Sequence, residues 1–134
     1  MRKAVAVVLA LTSWSCARGS PQSTPAPPTP ARIASTATVD LVTPKPGAVV
    51  QGPRVDVRIA LNGGEIRTET SRDLKPDLGH LHLLLDGKVV SMNYGLEQKL
   101  DVAPGDHLLQ VEFVALDHGP FSPRITDTSN FTVR

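Results

Sequence analysis

From Val39 onward, proline and glycine recur too often, and the apolar spacing is too short, for a helix of ordinary length. No segment keeps a 3.6-residue period. What repeats instead is a short alternation of apolar and polar residues closed by a turn signal. Residues 39–42 are apolar except for Asp40 and run into Pro44-Lys45-Pro46-Gly47. Residues 55–61 alternate for their whole length before Asn62-Gly63-Gly64. Pro76-Asp77-Leu78-Gly79 leads into Gly79-His80-Leu81-His82-Leu83-Leu84-Leu85-Asp86-Gly87, one strand ending in an Asp-Gly turn. Residues 88–92 make a short strand before Asn93-Tyr94-Gly95, and 96–102 another before Pro104-Gly105. The stretch 108–116 is the longest strand candidate, with Leu109, Val111 and Phe113 on one face and Gln110 and Glu112 on the other. Residues 129–133 close the chain, with Phe131 and Val133 facing the core. The charged, Thr-rich stretch 65–75 reads as a loop at a strand edge. About seven short strands at this spacing predict an all-β fold, an immunoglobulin-like β-sandwich spanning 39–134. Its core rests on apolar alternation alone, because no cysteine pair is present to staple the sheets.

The 38 residues before that domain have a different character. Arg2 and Lys3 precede an apolar run over 4–11, and Ser13-Trp14-Ser15-Cys16 follows with the only cysteine of the chain. A lone cysteine has no internal disulfide partner, so its place after an apolar export run needs another explanation. The stretch resembles a bacterial lipoprotein signal, in which the cysteine is lipidated and becomes the new N-terminus. Ser15-Cys16 matches that pattern, and Ser13 and Trp14 depart from its Leu-small start. An ordinary secretory cleavage nearby is the alternative. The expected organisation is a signal peptide over 1–15, a disordered Pro/Ser/Thr/Ala-rich tether over 16–38, and the sandwich. The resemblance implies an extracytoplasmic, membrane-anchored location in a bacterial cell envelope, with a secreted or periplasmic soluble form as the alternative.

Charge narrows the partners. Of the 14 basic residues, Arg2, Lys3, Arg18 and Arg32 precede Val39, while all 13 acidic residues follow it. The domain therefore holds ten basic against thirteen acidic residues and carries a net −3, which argues against a nucleic-acid partner. The expected contacts are a membrane, through the lipid, and an envelope protein or ligand that the sequence does not specify.

The histidines carry whatever chemistry there is. Period-2 geometry puts His80 and His82 on the face opposite Leu81, Leu83 and Leu85, and so predicts both imidazoles pointing to solvent. In a sandwich of this order the 79–85 and 108–116 strands are antiparallel neighbours, which brings Asp117 and His118 beside His80. His80, His82 and His118, with Asp117 as ligand or supporting acceptor, then form a candidate Zn(II) or Cu(II) site. The competing reading is that these are polar groups shaping one end of the sandwich. His107 lies at the other end of the long strand, roughly 30 Å from His118 at about 3.3 Å per residue. Its setting, Pro104-Gly105-Asp106-His107-Leu108, matches a corner in which a side chain bonds upstream backbone, with histidine in place of the usual tyrosine.

Catalysis has little support. There is no Gly-x-Ser-x-Gly elbow, no phosphate-cradling glycine loop and no second cysteine for a redox pair. A non-enzymatic protein is expected. Taken together, Gly79-His80-x-His82 with Asp86-Gly87, Pro104-Gly105-x-His107-x-Leu109 and Asp117-His118-x-Pro120 resemble a group of uncharacterised bacterial secreted domains. That resemblance implies a small, exported, Ig-like sandwich and supplies no activity.

Overall fold

The computed structural model describes residues 31–134, so the signal peptide, Cys16 and most of the expected tether lie outside the described residues. Those described are all-β. In chain order the strands are β1 (Thr38–Thr43), β2 (Ala48–Val50), β3 (Arg54–Asn62), β4 (Glu65–Ile66), β5 (Leu78–Leu85), β6 (Lys88–Ser91), β7 (Glu97–Asp101), β8 (Gly105–Ala115) and β9 (Pro120–Val133). One sheet has the order β1-β3-β7, all antiparallel. The other runs β2-β9-β8-β5. Its far edge is shared by β4, parallel to the start of β5, and β6, antiparallel to the end of β5.

The core lies between the sheets and follows the alternation. Val39 and Leu41 on β1, and Val55, Val57 and Ile59 on β3, meet Leu81, Leu83, Leu109, Val111 and Phe113 from the opposite sheet, all buried. Phe113 stacks on Phe121 with ring centroids 5.4 Å apart. The outer face of the smaller sheet is a ladder of opposite charges in register. Arg54 faces Asp101, Asp56 faces Lys99 and Arg58 faces Glu97, each pair in contact across β3 and β7. Such exposed pairs add little stability individually, and they keep this face wet.

Three expectations need correction. The strand count rises from about seven to nine because β2 and β4, three and two residues long, carry no alternation of their own. The longest strand is β9, with 14 residues, rather than 108–116. Its inward positions include Asp127 and Ser129, which disguise the core face. Both are satisfied by β1 and the turn after it. Asp127 accepts from Leu41 N at 2.7 Å, and Ser129 donates to Pro44 O at 2.7 Å.

The third correction concerns where the domain starts. Residues 32–37 are bound to the sandwich, so the folded unit begins before Val39. Arg32 donates twice to Asp117, at 2.6 and 2.8 Å, and through Nε to Pro120 O at 2.8 Å. Ser122 N donates to Ile33 O at 2.9 Å. Ser35 Oγ and Thr36 N both donate to Asp77, and Ala37 is buried. The bonds from Arg32 hold the Asp117 carboxyl at about 2, well below the usual carboxylate range.

Candidate functional site

The alternation of β5 separates its side chains as the spacing predicts. Leu81 and Leu83 face the core, and His80 and His82 face away from it. The expectation of two solvent-facing imidazoles fails for His80, which is 0% exposed. The outer face is roofed at this end. Arg67 N donates to Gly79 O and Ser71 N to Leu116 O, so the 65–77 segment is stitched over the sheet. Tyr94 meets His80 edge-on at 5.6 Å and donates to Thr68 O at 3.4 Å. Both ring nitrogens of His80 face backbone: Nδ1 lies 2.8 Å from Arg67 O and Nε2 3.3 Å from Leu116 O. The ring thus bridges the roof to the strand below.

His118 reaches this place through a tight turn. Its φ of 62° lies in the left-handed region, where histidine is among the more tolerated residues. His118 N donates to Ala115 O, and Ala115 N donates to Gly119 O, each at 2.9 Å. The ring folds back over β5 and lies nearly parallel to both strand histidines, at 4.4 Å from His80 and 5.4 Å from His82. His82 Nε2 and His118 Nδ1 are 3.1 Å apart, and His118 Nε2 lies 3.3 Å from Thr70 Oγ1. Burial, first, and then the neighbouring His118 lower the pKa of His82, against a smaller opposing pull from Glu112.

The four residues expected to share a metal are therefore not one set. Three imidazoles do gather, but His80 is spent on backbone carbonyls. Asp117 turns away to Arg32 and to Gly119 N, its neighbour in the turn. Among the described residues no group of three or more His, Cys, Asp or Glu side chains surrounds a common point.

Glu112, on the face of β8 opposite Leu109, Val111 and Phe113, belongs to the same end of the sheet. It stands directly opposite His82 in the β5–β8 register and is 3% exposed. Its Oε2 accepts from Arg124 at 2.6 Å, while Oε1 is buried without a partner. The antiparallel register alone would have placed it beside His82. Nothing in the sequence signalled Thr70 or Tyr94, which arrive from loops.

His107 occupies the far end of β8, where its Nε2 lies 2.8 Å from Ala103 O, on upstream backbone. Its Nδ1 lies 2.8 Å from Asp86 Oδ2, and Asp86 Oδ1 accepts from Leu108 N. Two acceptors need two N–H groups, so this arrangement suits the imidazolium. The hydrogen bond to Asp86, first, and that to Ala103 raise the histidine pKa, while the bond from Leu108 N, first, and that from His107 lower that of Asp86. A raised folded pKa gives stability that is complete below about 6.5 and is lost as pH climbs through the folded value. His107→Ala should therefore cost about 1–2 kcal/mol at pH 5.5. The deficit should shrink at pH 9, as read by urea melts at the two pH values. An equal deficit at both would show that ring charge contributes nothing.

No protein-family model matches the chain, and no curated protein does. Solved structures do. The fibronectin(III)-like modules of CbhA from Clostridium thermocellum superpose with a TM-score of 0.54 at 20% identity, over 76% of this chain and 48% of that one. This chain thus spans about half of that solved chain. An endo-beta-1,4-mannanase from Thermotoga petrophila follows with a TM-score of 0.47 at 18% identity, over 73% of this chain and 20% of that one. The first likeness defines the class: an all-β sandwich of the fibronectin(III)-like, Ig-like kind.

Proposed function

We propose that this protein is an exported, non-catalytic binding module, anchored through a lipid on Cys16 and displayed at a bacterial cell envelope. Residues 17–31 would give it reach from the membrane. The observation that carries the reading is the open edge at β6. This strand pairs only with β5, so its outer N–H and C=O groups are unclaimed among the described residues. Apolar side chains crowd the same edge and the turn after it: Val89, Val90, Met92, Tyr94 and Leu96 are 40–57% exposed. A free edge with apolar neighbours suits an extended segment of another envelope protein, added as a further strand. The charged ladder on the opposite sheet offers no such surface.

The test places a photo-crosslinking residue at Val90, or at Asp56 as control, in the full chain expressed in cells. A discrete adduct from the membrane fraction is expected at Val90 and none at Asp56. Cys16→Ala should abolish membrane recovery of the mature form. Adducts at Asp56 but not Val90, or a soluble mature wild type, would reject the respective half of the reading.

A further inference from the structure

We propose that His82 and His118 form a two-imidazole site for one divalent transition-metal ion, Cu(II) by preference, with Glu112 as the neighbouring compensating charge. The proposal stands apart from the edge-docking reading and uses none of its residues. Its first support is the separation of the two nitrogens. Two imidazole nitrogens bound to one metal at about 2.0–2.1 Å sit about 2.8 Å apart at a right angle and about 3.3 Å apart at a tetrahedral angle. His82 Nε2 and His118 Nδ1 are 3.1 Å apart, between those limits.

The second support is how His118 is held. Its Nε2 lies 3.3 Å from Thr70 Oγ1. An N–H directed to that hydroxyl leaves the lone pair on Nδ1, on the side of His82. Outer partners of this kind fix the tautomer of a metal-bound histidine. Position is held as well, since the ring is stacked on buried His80 at 4.4 Å and fixed by the 115–119 turn.

The third support is independent of the histidines. Glu112 is 3% exposed, lies across from His82 in register and has one oxygen with no partner. Arg124 engages only the other oxygen. A buried carboxylate oxygen left without a partner across from His82 favours a hydrogen-bond donor or cation there, such as a metal-bound water, over an apolar occupant. Imidazole donors suit both Cu(II) and Zn(II), and the stability order of divalent ions favours Cu(II) over Zn(II) at such a site. His80 and Asp117 take no part, because their polar atoms are already engaged by backbone carbonyls and by Arg32.

The experiment titrates the metal-free full chain in detergent with Cu(II), reading bound copper and its nitrogen hyperfine pattern by electron paramagnetic resonance. Wild type should take up one equivalent at micromolar free metal with two coupled imidazole nitrogens. His82→Ala and His118→Ala should each lose that signal while circular dichroism shows the sandwich retained. His107→Ala should keep it. Glu112→Gln should bind about tenfold more weakly, the scale of a lost supporting group. Absence of uptake by wild type overturns the proposal. So does uptake that survives either His82→Ala or His118→Ala, or that falls with His107→Ala. Unchanged affinity in Glu112→Gln would overturn the part assigned to the carboxylate.

Discussion

Gly79→Ala should destabilise the domain by more than about 3 kcal/mol, lowering its melting temperature by more than about 15 °C. A Cβ at this position would lie 1.9 Å from Val114 O and 3.2 Å from the Phe113 ring. The first of these atoms is backbone and cannot rotate away. Making room means parting β5 from β8 at the Gly79↔Ala115 pair, and with it the bond from Arg67 N to Gly79 O. Gly87→Ala is the natural comparison. There a Cβ meets nothing within 4 Å, and only the φ of 79° is strained, at a cost of about 1 kcal/mol. Thermal melts of the two variants should differ widely. Similar melting temperatures would show that the β5–β8 contact yields more easily than its geometry implies.

His80→Ala should cost about 2–4 kcal/mol in metal-free protein, combining a buried cavity with the loss of the bond at Arg67 O. His80→Phe should recover part of that, since it refills the volume but restores no donor. The measurement is urea unfolding in the presence of a chelator. If His80 were there to hold metal, the chelated protein would be nearly indifferent to its replacement. A loss under about 0.5 kcal/mol would remove the bridging role assigned to the ring.

The difference between His80 and His82 marks how far the sequence was legible. Period-2 alternation correctly divides leucines from histidines on β5, and the strand order of a sandwich correctly pairs β5 with β8 and carries His118 back to His80. It does not say what lies above a sheet face. The 65–77 segment is polar and barely periodic, yet its backbone is tied to Gly79 and Leu116, and that roof buries one imidazole while leaving the next half-buried. A charge next to a proline-rich sequence hides structure in the same way. Arg32 reads as the end of a tether, and only the three-dimensional position of Asp117 makes it the first clasp of the domain. The 120–128 part of β9 is not legible because exposed Ser122-Pro123-Arg124 and inward Asp127 interrupt the apolar alternation.

The length of β9 has a mechanical consequence. The strand leaves the Arg32 clasp at Pro120 and ends beside β2 and the start of β8, at the opposite end of the sandwich. It runs beside the eleven residues of β8, roughly 36 Å at about 3.3 Å each, with a shift in register at Phe113/Val114 taking up its extra length. A pull applied at Arg32 and at Val133 is therefore directed along the strand. Its ladder bonds to β8 and β2 would then share the load in shear rather than open one after another like a zip. A pull applied at Arg32 also reaches Asp117 first, one residue from His118, so the end of the domain that bears the histidines would take up that load first.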